Sequence, residues 1–343
     1  MEALARVGGR RLAFCIFGPA NGRPVFLFHG WGESRLTVPL DRETLHRLGI
    51  LLVTIDRPGV GLSDPQPGRR LLDWPANVVA VADQLGLERF AVLGRSAGAA
   101  YAVACAYQLP DRVRSATLVS GVGPPTAEAE KLLAASGLCN LLRCLRAAPP
   151  IARPTLWLAV RAARPHVRAI FSRHVAKLPE ADRVVLADPA TYAMRLATLQ
   201  ESLAQAEVGI YHDALALTRP WGFEPGQVAI PVRIWHGDAD TIVNVGFALQ
   251  LSLAIPHSKM VLEAGAGHYL MFTHWQQILE TVLEDSDSVT VPGQRDGRPS
   301  PAAATPSKPT IRDQRTGAWW CGRMHGQPGG RAGREPSSSG SPS

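Results

Sequence analysis

The stretch from Phe90 to Tyr107 constrains this chain more than any other. Phe90-Ala91-Val92-Leu93 reads as an apolar strand and Gly94-Arg95-Ser96-Ala97-Gly98 as a tight turn. An Ala-rich helical run then continues to Tyr107. A G-x-S-x-G turn between a strand and a helix occurs once in the 343 residues. A serine in so sharp a turn must hold strained backbone angles, and a side chain at Gly94 or Gly98 is expected to strike the neighbouring strand or helix. The geometry lifts the Ser96 hydroxyl above the sheet. It also places the next amide at a helix N-terminus, where charge developing on a substrate oxygen is stabilised. By itself the pentapeptide is a weak signal, because Gly, Ser and Ala build many ordinary turns.

The flanking chain supplies the context. A hairpin is expected from Leu4 to Val7 and Arg11 to Phe17, around Gly8-Gly9. The apolar runs from Pro24 to Phe28 and from Ile50 to Ile55 read as strands buried on both faces. A short helix is expected over Leu40 to Leu48. Asp73 is placed to cap a helix that has Pro75 in its first turn and Val78, Ala82 and Leu85 on one face. Further strands are expected from Val113 to Val119, Val232 to Trp235 and Lys259 to Leu262. Helices should run from Val245 to Leu253 and from Thr273 to about Glu284. Strands alternating with helices imply an α/β fold with a mostly parallel sheet, whose ligands sit at the carboxyl ends of the strands. His29, Asp56 and Ser96 all fall just past strand ends.

From Pro124 to about Gly226 the alternation stops. Arg-studded helical stretches, from Ala127 to Leu145, Leu156 to Phe171 and Tyr192 to Leu217, are punctuated by prolines. This region reads as a helical cap (124–226) inserted into a core made of 1–123 and 227–285. Trp157, Phe171, Tyr211, Trp221 and Phe223 have two readings, as the lining of an apolar pocket or as the cap's own core. Trp157, Tyr211 and Trp221 are the ones taken forward as substrate contacts. From 286 to 343 the composition turns to Pro, Gly, Ser and Arg, and a disordered tail is expected.

Composition excludes several classes. Of the net charge of +7, the tail carries eight Lys and Arg against four Asp and Glu. The remaining body is nearly balanced, so no nucleic-acid partner is expected. No apolar run reaches the roughly 18 residues of a membrane span, and the first residues lack a signal peptide's apolar core. The expectation is a cytoplasmic monomer or homodimer without a membrane partner. Five scattered cysteines without C-x-x-C spacing predict neither a zinc site nor a disulfide framework. Asp238-Ala239-Asp240 falls short of a calcium loop, and neither Gly59-x-Gly61 nor Gly121-x-Gly123 completes a dinucleotide fingerprint. Neither metal nor cofactor is expected.

A serine hydroxyl is a poor nucleophile near neutral pH. It needs a base, and the base needs a group that fixes its tautomer. Downstream of Ser96, loops after strands offer His268 as that base, with Asp238 and Asp240 both available as the orienting acid. At these residues the chain resembles the α/β-hydrolase superfamily, in its cap-bearing, serine-nucleophile branch. His29-Gly30-Trp31-Gly32 is similar to the oxyanion-loop motif. Asp56-Arg57-Pro58-Gly59-Val60-Gly61-Leu62-Ser63 is similar to the loop after the fourth strand. The elbow pentapeptide, Gly237-Asp238-Ala239-Asp240 and Gly267-His268 complete the pattern, over about residues 3 to 284.

The resemblance implies Ser96 as nucleophile, His268 as general base and acid, Asp240 as orienting acid, and an oxyanion hole from the Trp31 and Ala97 amides. It implies a serine hydrolase acting on the ester-like bond of a small, largely apolar molecule through an acyl-enzyme. Alternatives on the same triad are carbon–carbon bond hydrolysis and cofactor-free peroxidation, and a catalytically silent binding protein is the rival from another class. Two residues depart from the pattern. Glu33 stands where many relatives have Gly, and its charge would oppose an oxyanion unless it turns to solvent or pairs with Arg35 or Arg95. Arg95, beside the nucleophile, is read either as a contact to an acidic substrate group or as a brace for the elbow.

Overall fold

The apolar runs become the centre of an eight-stranded sheet. The computed structural model describes residues 1–126 and 149–287. The strands are β1 (Glu2–Val7), β2 (Arg10–Phe17), β3 (Arg23–Phe28), β4 (Ile50–Ile55), β5 (Phe90–Arg95), β6 (Val113–Val119), β7 (Val232–Gly237) and β8 (Ser258–Glu263), in the order β1-β2-β4-β3-β5-β6-β7-β8. β1 pairs antiparallel with β2, and β2 with β4; every other pairing is parallel. All residues of β4 and β5 are buried. Burial on both faces explains why those strands read as continuous apolar runs without alternation.

The helices are α1 (Glu43–Arg47), α2 (Trp74–Gln84), α3 (Gly98–Gln108), α4 (Pro149–Ala163), α5 (Val167–Val175), α6 (Glu180–Ala187), α7 (Pro189–Ser202), α8 (Val208–Thr218), α9 (Gly246–Ala254), α10 (Leu270–Thr273) and α11 (Trp275–Asp287). Every residue of α3 from Gly98 to Ala106 is buried. Its run of small side chains lets the helix axis lie close to the sheet. The main core joins the sheet to α2 and α3 through Phe28, Val53, Trp74, Val78 and Tyr101, among others. Each large apolar side chain buried there contributes roughly 1.5–3 kcal/mol.

α4 to α8 fill the span between β6 and β7 and sit on the loops that leave the carboxyl ends of the strands. Val160, Val167, Phe171, Leu196, Leu203 and Ile210 form one cluster of this layer, and Trp31, from the loop after β3, packs against it. Leu178 and Leu186 cluster with Tyr269, from the loop after β8. The expected helix from Ala127 to Leu145 falls wholly outside the described residues, as does nearly all of the expected tail.

Two local expectations are corrected. Asp73 does not cap α2 with its side chain. Its carboxylate instead accepts the Arg70 amide at 2.7 Å, closing a 3-10 turn that leads into the helix. The last helix also continues past the expected boundary. Asp285 accepts two hydrogen bonds from Arg233, at 2.9 and 2.7 Å, and the Ser286 hydroxyl meets that of Ser115 at 2.8 Å. The folded body therefore includes Asp287, and a tail starting at Ser286 is placed too early.

Candidate active site

β5 runs straight into the turn that carries Ser96. Ser96 has φ +53°, the left-handed region, which a residue with a side chain occupies at a cost of roughly 1–2 kcal/mol. The turn is held from both sides. The Ser96 amide donates to Val119 O at 2.8 Å, while Ser96 O accepts from the Ala99 and Val122 amides at 3.1 and 3.3 Å. A Cβ on Gly94 would stand 2.3 Å from Gly98 O, and one on Gly98 2.1 Å from Phe28 O. The two expected collisions are thus present, and the second is with the end of β3, where the His29 loop begins.

β7 ends at Gly237 and places Asp240 three residues later. Asp240 Oδ1 accepts from the Ile242 and Val243 amides at 2.8 and 2.9 Å. Asp240 Oδ2 lies 2.8 Å from His268 Nδ1. Burial raises the Asp240 pKa, but His268 and the Val243 amide more than offset this, and the net shift is downward. An ionised carboxylate can only accept, so His268 Nδ1 carries a proton and Nε2 is the ring nitrogen that faces away from Asp240. Asp238 is exposed and its Oδ1 accepts from the Gly265 amide at 2.6 Å. Of the two carboxylates, the fold brings Asp240 to His268. The loop carrying His268 is fixed by a residue of α6, since Asp182 Oδ1 accepts the Tyr269 amide at 2.9 Å. His236 is fully buried, with Nε2 2.9 Å from Val243 O, and burial pushes its pKa down. Its Nε2 also lies 3.5 Å from Asp240 Oδ2.

The loop after β3 is braced by buried charge. Arg57 donates to His29 O and Gly30 O, and its Nε and Nη2 grip Asp213 of α8 at 2.7–3.0 Å. Asp213 also meets Arg69 at 2.8 Å and the Tyr101 hydroxyl at 2.9 Å. Burial raises the Asp213 pKa, but Arg57 and Arg69 win and hold it far below the usual carboxylate range. His29 Nε2 accepts the Arg57 amide at 3.3 Å while Nδ1 lies 2.9 Å from Gly30 O. Burial, then Arg57, push its pKa down to about 3. His29 is therefore a neutral strut and not a base. Trp31 is tied to α8 through Nε1, which donates to Ile210 O at 3.0 Å. Among the described residues neither the Trp31 nor the Ala97 amide donates to another backbone acceptor.

Glu33 does not turn to solvent. It is buried, its Oε2 accepts the Gly30 amide at 2.8 Å, and its Oε1 pairs with Arg95 and, at 2.8 Å, with Arg195 of α7. Burial raises its pKa, but Arg195, Arg95 and the Gly30 amide overrule that and bring it down to about 2. Two guanidinium groups against one carboxylate leave this buried cluster with a net positive charge. The concern that Glu33 opposes an oxyanion is thereby reversed in sign. Arg35, the other expected partner, pairs with Asp56, Glu201 and Glu2 instead.

The expected substrate contacts are dispersed. Arg95 is 1% exposed, engaged by Glu33, and lies over the Tyr269 and Phe272 rings at 5.0 and 5.5 Å. Trp157 is 45% exposed. Trp221 belongs to the main core, beside Phe223, which stacks on Tyr107. Tyr211 clusters with Ala214 and Leu215 inside the helical layer, and Phe171 packs on Tyr192 there. Trp221 and Phe223 thus join the main core and not a core of the helical layer, and Trp157 is about half exposed.

Sequence reasoning missed Arg195, Asp213 and Asp182. Each lies in the helical layer more than 80 residues from its partner, and none sits in a motif. Among the described residues no group of three or more His, Cys, Asp or Glu is gathered to hold a metal ion. No described helix is long and apolar enough to cross a membrane.

With this geometry in view, known proteins give the following likenesses. Residues 25–281 match the model of a family described as the alpha/beta hydrolase family. A serine hydrolase-like protein of Danio rerio is 33% identical over 115 residues, covering 32% of this chain and 34% of that protein. A pimeloyl-[acyl-carrier protein] methyl ester esterase of Legionella pneumophila is 36% identical over 95 residues, covering 27% of this chain and 36% of that protein. The chain thus spans about a third of the length of these curated relatives. The crystal structure of a bromoperoxidase from Bacillus anthracis superposes with a TM-score of 0.62 at 21% identity, over 84% of this chain and all of that one. At that identity the likeness is one of fold.

Proposed function

Since this chain belongs to the alpha/beta hydrolase family, we propose that it is a serine hydrolase that cleaves an ester-like bond through an acyl-enzyme. The observation that carries this reading is the 2.8 Å hydrogen bond from His268 Nδ1 to Asp240, together with a Ser96 held at φ +53° on the strand–helix turn. Ser96 Oγ attacks the acyl carbon as His268 Nε2 takes its proton. Asp240 holds the tautomer and stabilises the imidazolium that forms. The Ala97 and Trp31 amides receive the oxyanion, one of them at the start of α3. His268 returns the proton to the leaving alcohol, and water repeats the sequence to release the acid. The net positive cluster of Glu33, Arg95 and Arg195 favours the anionic intermediate. Arg95 serves as a brace and not as a substrate contact. The helical layer from α4 to α8 acts as a cap over the site, and the acyl group it admits is small and largely apolar.

The test is hydrolysis of a panel of p-nitrophenyl esters of increasing acyl length by the full chain and by Ser96→Ala. Turnover that falls to background in Ser96→Ala, with folding intact by circular dichroism, supports the reading. Equal turnover by the two proteins contradicts it.

A further inference from the structure

A cavity lies at the amino ends of the central strands, the opposite end of the sheet from Ser96. Arg23 opens β3, Arg89 immediately precedes β5, and Arg114 is the second residue of β6. These are the amino ends of three adjacent parallel strands. Arg23 and Arg89 each stand two positions before the paired residues Val25 and Ala91, so their side chains leave the same face of the sheet. All three arginines line one cavity of about 210 Å³, which Leu283, Ser286 and Asp287 of α11 also line.

The charges in this cavity do not balance. Its one carboxylate, Asp287, is already paired with Arg23, which also donates to Leu283 O. Among the described residues no hydrogen bond or ion pair engages the guanidinium of Arg89 or of Arg114, and Arg89 Nε is buried without a hydrogen-bond partner. Burial, and then the neighbouring charges of Arg89 and Arg23, push the Arg114 pKa down. A guanidinium cannot escape by losing its proton at ordinary pH. Three cations gathered in one half-buried recess repel one another unless an anion sits between them, and the planar fork of Arg suits the oxygens of a phosphoryl group. Beside the arginines and Asp287 the recess is lined by Pro24, Val25, Ala91 and Leu283, with Ser286 as one further polar residue. A cavity of roughly 150 Å³ admits benzene, so this one has room for a phosphoryl group and a small apolar substituent.

We infer that this cavity binds a small phosphomonoester, with the phosphoryl oxygens between Arg89 and Arg114 and the ester carbon chain against Val25 and Leu283. It is separate from the Ser96 site and independent of the chemistry assigned there. The test is isothermal titration of the full chain with inorganic phosphate and with phenyl phosphate, at one ionic strength held constant with sodium chloride. Wild type, Arg89→Gln and Arg114→Gln are compared, all checked by circular dichroism. Saturable binding that is tighter for phenyl phosphate than for inorganic phosphate, and weakened at least about tenfold in either variant, is the expected result. Absence of saturable binding up to about 10 mM overturns the inference. So does binding that both variants retain, which would place the anion elsewhere. Equal affinity for the two anions overturns the assignment to an ester.

Discussion

His268 and Asp240 are joined by one hydrogen bond, 2.8 Å from Nδ1 to Oδ2, across 28 residues of sequence. Asp238, two residues away on the same loop, spends its carboxylate on the Gly265 amide instead. This division predicts the outcome of two conservative substitutions. Asp240→Asn loses the charge that fixes the histidine tautomer, a change that lowers turnover by about ten-thousandfold in a serine protease, or on the order of 5 kcal/mol. Asp238→Asn disturbs a loop hydrogen bond of roughly 1 kcal/mol. Measured kcat/KM on one active ester should therefore collapse for the first and change by less than about tenfold for the second. The reverse ranking would mean that Asp240 is not the orienting acid.

Glu33 gives a prediction about acid stability. Its folded pKa of about 2 lies below its ordinary value of 4.5. A carboxylate so depressed stabilises the fold fully above about pH 4.5 and loses that contribution as the pH falls towards 2, up to about 3 kcal/mol. Glu33→Gln leaves Arg95 and Arg195 buried without their counter-charge and should lower stability at pH 7 by about 3–5 kcal/mol. It should also flatten the loss of stability between about pH 4.5 and 2. Urea melts at several pH values decide this. A variant as stable as wild type at pH 7, with the same acid limb, would show that the cluster contributes nothing.

How much of this was legible in the sequence depended on distance along the chain. The strands, the Ser96 turn and the two loops bearing Asp240 and His268 were readable because apolar runs and turn residues act locally. Glu33 was marked as a departure, but its second cation, Arg195, lies 162 residues on and carries no motif. Arg57 stands in a motif readable from sequence, but its partner Asp213, 156 residues on, has no local signal. Trp221 and Trp157 could not be told apart by composition. One is 3% and the other 45% exposed, and only the packing of the helical layer decides that. At Asp73 the cap rule lost to a competing local turn, in which the carboxylate accepts the Arg70 amide.

Asp213 links the helical layer to the loop after β3 through Arg57, and it also pairs with Arg69. Asp213→Asn leaves two buried cations uncompensated and should cost about 3–5 kcal/mol. In the protein that remains folded, Arg57 holds His29 O and Gly30 O less firmly, so kcat should fall more than KM rises. A loss under about 1 kcal/mol with unchanged kcat would contradict a bracing role.

Asp285 and Ser286 belong to the folded body through Arg233 and Ser115. Ending the chain after Asp287 should leave the Tm within about one degree, whereas ending it after Glu284 should lower it by a few degrees, about 2 °C for each kcal/mol lost. Calorimetry of the two truncations tests this. Equal Tm values would show that the last turn of α11 adds no stability.

The most direct test of the central claim is mass spectrometry of the intact protein after exposure to a fluorophosphonate. The wild-type chain should gain one adduct, mapped by proteolysis to the peptide carrying Ser96, and Ser96→Ala should gain none at the same exposure. Labelling of Ser96→Ala at the wild-type rate would contradict the assignment of Ser96 as the nucleophile and, with it, the proposed hydrolysis.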